Sequence, residues 1–283
     1  MLAAVRSRFP KPILASNIAP MKIAVCVKQV PDSWAEKKMA NGRLDREGVD
    51  AVLNDLDEYA VEEALKIAEA HGGNEGEDAA HSVTVISMGP ERATDAVRKA
   101  LSMGANDAIL ITDTALAGSD ALMTSKVLAK VISDGGFDLV ICGTESTDAR
   151  MSVVPAMISA RLGWAQLTFA SSVSAEPAAS KISITRTTEA GVDQMSASLP
   201  AVISVVEKIN EPRYPSFKGI MAAKKKTIDV RDLSSVGVVA ESGWSEVKDA
   251  TPRPARAAGI KVIDENGSGA QALVNFLAEK KLI

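Results

Sequence analysis

The residues best suited to holding a charged ligand fall together in one stretch, Gly143-Thr144-Glu145-Ser146-Thr147-Asp148-Ala149-Arg150-Met151-Ser152-Val153-Val154. Ser146, Thr147 and Ser152 bring hydroxyl donors, and Arg150 brings a positive charge. The stretch leaves an apolar run and enters a helical pattern. The first turn of a helix presents main-chain N–H groups with no partner inside the helix. Those donors and the helix dipole favour an anion such as phosphate. The same spacing also suits a plain helix start, with Ser152 or Asp148 as N-cap. Spacing alone leaves both readings open.

Other candidates are weaker. Asn54-Asp55-Leu56-Asp57 precedes another helical pattern, where capping alone would account for it. Trp34 lies in a long connection and reads as a lid, a partner contact or a packed loop aromatic. Cys26 and Cys142 each sit in an apolar run and read as core thiols in a reducing compartment. His71 and His81 flank a polar stretch, and no Cys/His cluster suggests zinc or haem. No G-x-G-x-x-G follows the first strand, and neither a P-loop nor a G-x-S-x-G elbow occurs. The sequence reads as a nucleotide-binding frame without a recognisable reactive centre.

The elements that must position these residues alternate in type from Met21 onward. Lys22 to Val27, Ser82 to Ser87, Ala108 to Ile111 and Asp138 to Cys142 are apolar runs of strand length. Helical spacing of small and branched apolar residues follows each, over Asp57 to Ala70, Glu91 to Leu101, Ser119 to Ile132 and the stretch ending at Leu162. Four strand–helix units predict an α/β fold, a mostly parallel, Rossmann-like sheet flanked by helices. Ligands of such sheets sit beyond the carboxyl ends of the strands. That directs attention to Lys28–Asn54, Met88–Pro90 and Gly143–Val154.

After Gly163 the pattern changes to short strands over Leu167–Ala175, Ile182–Thr188, Gln194–Ser198 and Ala201–Val206, read as an antiparallel extension. Beyond Val230, Gly, Ser and Pro predominate, and Gln271 to Lys281 forms a last amphipathic helix. This predicts a domain over 21–230 and a C-terminal arm over 231–283 that docks on another subunit. Residues 1–20 carry three basic residues and no acid. They read as a disordered extension or upstream start, giving a cytoplasmic protein, or else as a transit peptide to the mitochondrial matrix.

A formal net charge of −4 argues against a nucleic-acid binder, and Lys224-Lys225-Lys226 is too short to alter that. No apolar run reaches the roughly 20 residues needed to span a bilayer, so the chain is not expected to be membrane-embedded.

Leu199-Pro200-Ala201-Val202-Ile203-Ser204-Val205 and the stretch from Ile209-Asn210-Glu211-Pro212-Arg213-Tyr214-Pro215 through Phe217-Lys218-Gly219-Ile220-Met221 to Lys226 closely resemble the beta subunits of electron transfer flavoproteins. Val27-Lys28-Gln29-Val30-Pro31-Asp32, Ala60-Val61-Glu62-Glu63-Ala64, Gly89-Pro90, the segment from Arg98 to Ala105, and Gly163-Trp164-Ala165-Gln166-Leu167-Thr168-Phe169 agree in order. The resemblance runs from about Met21 to the C-terminus. It implies that the sheet is of adenine-nucleotide-binding type. It also implies a heterodimer with an alpha subunit that holds the redox FAD, and a structural AMP in this subunit, or FAD in bifurcating members. By the same resemblance the main chain at Cys26 and Met88 takes the base. Asn54, Asp55, Leu56 and Asp57 contribute, and residues 143–154 take the phosphate.

Many members carry an Asp-Gly-Asp-Thr type of sequence followed by Gln and Gly, where this chain has Asp148-Ala149-Arg150-Met151 and then Ser152. That shifts the expected phosphate contacts to main-chain N–H groups, Ser152 and Arg150. The aromatic that some relatives place against the flavin aligns near Ser33, beside Trp34.

The segment from Lys208 to Lys226 resembles the family's loop for acyl-CoA dehydrogenases and related partners, with Tyr214, Phe217, Ile220 and Met221 as docking side chains. The implied function is an electron carrier, without substrate chemistry of its own, between those dehydrogenases and a membrane-linked acceptor. A stand-alone nucleotide sensor of the universal-stress type shares the sheet but gives no role to residues 199–226 or the arm. An ATP-pyrophosphatase-type ligase would need a Ser-Gly-Gly-x-Asp-Ser loop where this chain has Lys28-Gln29-Val30-Pro31-Asp32.

Overall fold

The computed structural model describes residues 20–35, 38–40, 43–76, 79–244, 247–249, 251, 254, 256–259, 261–264 and 266–283. The segment 1–19, on which the extension and transit-peptide expectations fall, lies outside the described residues.

Apolar runs become strands where both faces can be covered, and helices where one stripe can. In chain order these are β1 (Met21–Val27), β2 (Gln29–Pro31), β3 (Met39–Ala40), β4 (Arg43–Leu44), β5 (Ala51–Leu53), α1 (Asp55–Ala70), β6 (His81–Met88), α2 (Thr94–Met103) and β7 (Asp107–Ile111). There follow α3 (Ala121–Gly135), β8 (Leu139–Gly143), α4 (Val154–Leu162), β9 (Ala165–Glu176), β10 (Lys181–Thr188), β11 (Gly191–Ser198) and β12 (Ala201–Val205). The last elements are α5 (Phe217–Lys225), β13 (Asp229–Arg231), α6 (Leu233–Val236) and α7 (Ser268–Glu279).

Nine strands form one sheet in the order β11-β10-β9-β12-β8-β1-β6-β7-β13. Only the β9–β10 and β10–β11 pairs in it are antiparallel. The alternation of β1 sorts its side chains onto two faces. Ile23, Val25 and Val27 pack with Ala60, Ala64 and Leu65 of α1 and with Val97 and Ala100 of α2. Ala24 and Cys26 face the other way, towards Val127 and Val131 of α3 and Ile158 of α4. His81 opens β6: its Nδ1 accepts the Met21 N–H at 3.1 Å, and its Nε2 lies 2.8 Å from the His71 carbonyl. That geometry places the proton on Nε2 and gives His81 a structural task.

The structure departs from the sequence expectation at β12. Ala201–Val205 is not part of the antiparallel extension but lies parallel between β8 and β9, with all five residues buried. The continuous run Ala-Val-Ile-Ser-Val is what a strand covered on both faces requires. A second departure is α5, a helix within the 208–226 segment for which the family resemblance implies a docking loop. Ser216 caps it by accepting the Gly219 N–H at 3.0 Å.

The chain divides into compact units at Val247 and Lys248, so β13 and α6 belong to the larger one. In the smaller unit α7 buries none of its residues, and Leu273, Val274 and Phe276 are exposed.

Candidate functional site

β1 has β6 on one side and β8 on the other, so the connections that follow β1 and β8 leave on diverging paths. This is the switch point at which open α/β sheets leave a crevice. Its floor is the register pair Cys26 and Cys142, both free and buried, and Met88 ends the neighbouring β6. The Cys142 thiol is pushed well up in pKa by its hydrogen bond with Cys26 and by burial. Gly143 follows, and here a side chain is excluded: a Cβ would meet Asp57 Oδ1 at 2.6 Å and the Leu56 carbonyl oxygen at 2.8 Å. The missing side chain lets the first turn of α1 press against the end of β8.

Asn54 occupies the N-cap position of α1, but its side chain does not cap the helix. Nδ2 donates to the Glu145 carbonyl at 2.9 Å, and Oδ1 accepts the Thr147 N–H at 3.0 Å. It fixes the loop after β8 instead. Three residues on, Asp57 is buried and accepts the Lys28 N–H at 2.7 Å. Burial pushes its pKa up to about 7, against the opposing pull of hydrogen bonds from Asn54 and Lys28.

Asp148 does not cap α4 either. Its side chain, 1% exposed, takes Lys28 Nζ on Oδ1 at 2.8 Å and Arg46 Nη2 on Oδ2 at 2.8 Å. Burial opposes the charged form, but Lys28, Ser146 and Arg46 outweigh it and hold the pKa down to about 2. Ser152 donates its hydroxyl to Glu145 Oε2 at 3.0 Å, and Thr144 donates to the Val205 carbonyl at 2.7 Å. The N-cap of α4 is Val153, with no side-chain cap, so the helix's first-turn N–H groups lack a side-chain acceptor. Just before it, Arg150 and Ser152 adopt left-handed φ values of 50° and 56°. Left-handed residues within a turn bend the main chain into the concave N–H arrangement that receives anions. Val154 and Met88 rest against the α3-side core, while Ala149 and Met151 are exposed.

Asp55, Leu56, Glu145, Thr147 and Arg150 face a neighbouring cavity of about 710 Å³, whose lining includes Ser33, Tyr59, Arg213 and Tyr214. The structure thus joins the 54–57 and 143–154 candidates around the ends of β1 and β8. It also adds Lys28, Arg46 and Arg92, which sequence reasoning did not single out. Arg92 holds the strap carrying Arg46 through the carbonyls of Arg46, Glu47 and Val49. Lys28 was discoverable from its place directly after a buried strand. Arg46 gave no signal, since its partner lies 102 residues away.

Of the docking candidates, Tyr214 lines the neighbouring cavity, whereas Phe217, Ile220 and Met221 do not. Tyr214 is 95% and Phe217 79% exposed, with Ile220 and Met221 also exposed. Trp34, at 94% exposure, is not a packed loop aromatic. Among the described residues no cluster suits a metal ion, and no helix is long and apolar enough to cross a membrane.

The electron transfer flavoprotein domain family matches residues 41–236. A Mycobacterium tuberculosis protein named electron transfer flavoprotein subunit beta is 50% identical over 271 residues, spanning 92% of this chain and 99% of the relative. One of the same name from Megasphaera elsdenii is 36% identical over 276 residues, spanning 92% and 97%. Protein FixA of Azotobacter vinelandii is 36% identical over 225 residues, spanning 77% of each chain. With the fold and the crevice, these similarities establish that the chain belongs to the electron transfer flavoprotein family, as a beta-subunit-type member.

Proposed function

We propose that the chain binds AMP at the β1/β8 switch point, assembles with an alpha subunit that holds the redox FAD, and serves as an electron carrier rather than a catalyst. The observation that carries this reading is the loop after β8, tied down by Asn54 and leading into an α4 without a side-chain cap. A phosphate there would take main-chain N–H groups around residues 151–154. The base would lie on the main chain at Cys26 and Met88. Asp148 is a partner of Lys28 and Arg46 rather than a nucleotide ligand, because its carboxylate is already engaged on both oxygens.

FAD, bound in the partner, supplies one- and two-electron transfer. This chain contributes a wall to its surroundings: the 710 Å³ cavity contains Ser33, where relatives align an aromatic against the flavin. Residues 248–283 serve as the arm that docks on the alpha subunit, a role suited to the exposed Leu273, Val274 and Phe276 of α7. The exposed Tyr214, Phe217, Ile220 and Met221 engage acyl-CoA and related dehydrogenases, whose electrons pass on to a membrane-linked acceptor. The setting is the cytoplasm. A universal-stress type of sensor would leave α5 and the β9–β11 extension without a task.

Co-expression with the candidate alpha subunit, followed by nucleotide extraction, tests the reading. About one AMP and one FAD per heterodimer are expected. Two FAD would give the same crevice to a dinucleotide, and no nucleotide beyond the alpha subunit's FAD would end the proposal.

A further inference from the structure

We propose that α5 is a preformed docking platform whose pose is set by Gly219 and Arg98, positioning residues that touch no partner themselves. The inference rests on the docking reading above and deepens it. A nine-residue helix has little stability of its own in water. Something must hold α5 in shape, and the contacts with α2 are specific enough to do so.

Gly219 lies directly over the Ser102 carbonyl near the end of α2, where a Cβ would stand 2.6 Å from that oxygen. The obstacle is backbone, which cannot swing aside as a side chain can. Arg98 of α2 donates Nη1 to the carbonyl of Ala223, which also accepts the Lys226 N–H, and to the carbonyl of Lys226 itself. In the reverse direction Lys226 Nζ donates to the Ala105 carbonyl, just past the end of α2. Cations therefore tie the C-terminal end of α5 to α2 and the segment after α2 to the end of α5, and Ala223 is buried.

The chain leading into α5 is held separately. Arg213 grips Glu62 and Glu69 of α1, and Asn210 donates to the Tyr59 carbonyl and to Glu63. What remains free is the outward face, Phe217, Ile220 and Met221, flanked by exposed Lys218, Lys224 and Lys225. That combination fits an acidic protein surface with an apolar pocket. A platform already in its bound shape avoids the ordering cost that a flexible loop would incur on contact.

Gly219→Ala gives a test whose sign is diagnostic. Alanine favours helix over glycine, so by propensity alone the substitution should slow amide exchange in α5. If the close approach to Ser102 sets the pose, exchange instead accelerates, by about tenfold, as it does in Arg98→Ala, with partial recovery in Arg98→Lys. These variants are studied as heterodimers, reduced by an acyl-CoA dehydrogenase supplied with its acyl-CoA. The expected result is a KM for the flavoprotein raised severalfold, with kcat and AMP content unchanged. Unprotected α5 amides in the wild type, or slower exchange in Gly219→Ala, would overturn the platform. So would accelerated exchange with an unchanged KM, provided that Phe217→Ala raises KM. If Phe217→Ala leaves KM unchanged, the docking reading fails, and amide exchange alone then decides whether α5 is clamped.

Discussion

The Lys28 N–H donates to the Asp57 carboxylate at 2.7 Å, tying the end of β1 to the first turn of α1. Because burial raises the Asp57 pKa to about 7, the folded carboxyl keeps a proton that the unfolded chain releases near 3.8. Its contribution favours the folded state below about pH 4 and is lost as pH rises towards 7. Asp57→Asn holds a neutral side chain at every pH. The melting temperature of the heterodimer should fall between pH 5 and 8 in the wild type more steeply than in Asp57→Asn. Parallel curves would show that Asp57 does not titrate in this range.

Asp148 has the opposite sign. With its folded pKa near 2, it stabilises the native loop above about pH 4, and that contribution disappears as pH falls towards 2. Asp148→Asn should lower stability at pH 7 by about 1 kcal/mol, a modest figure because Lys28 and Arg46 are 39% and 45% exposed. The difference between wild type and variant, followed by denaturant unfolding, should close as pH drops from about 4 to about 2. A gap that persists at pH 2 would assign the effect to packing.

Asn54→Ala removes both side-chain ties to the loop after β8 and leaves the Glu145 carbonyl and Thr147 N–H to find other partners. The expected cost is about 1–3 kcal/mol of stability, together with reduced AMP retention after gel filtration. Full retention in the variant would mean that the loop holds its shape without Asn54.

Phe217→Ala removes an aromatic that is 79% exposed, so folding and heterodimer assembly should be unaffected. Electron transfer from an acyl-CoA dehydrogenase should weaken by about 2 kcal/mol in apparent affinity. Stopped-flow reduction at low flavoprotein concentration measures this directly. Loss of assembly instead would place Phe217 at the subunit interface.

The parallel sheet was legible because four apolar runs alternate with helical spacing, and both β1 and β8 follow that pattern closely. The crevice was legible too, since it follows from where strands end. The use of its side chains was not. Asn54, Asp148 and Ser152 all looked like caps, yet each spends its polar atoms across the loop, a choice set by contacts up to 120 residues away. The position of β12 was misread because a buried Ala-Val-Ile-Ser-Val run shows no alternation to reveal its neighbours. The helix α5 was hidden because Pro212 and Pro215 stand just before it and Gly219 within it, residues that favour turns over helix.

The seat of β12 also bears on how the polypeptide matures during synthesis. β8 pairs with β1 on one side and with β12 on the other, while β9, made earlier, reaches the sheet only through β12. Until residues 201–205 leave the ribosome, the nascent chain carries β8 as an open edge and the β9–β11 ribbon as an undocked branch. Open edges of that kind recruit foreign strands. Translation that stalls between β11 and β12 therefore produces a sticky intermediate, and completion of one five-residue strand closes it.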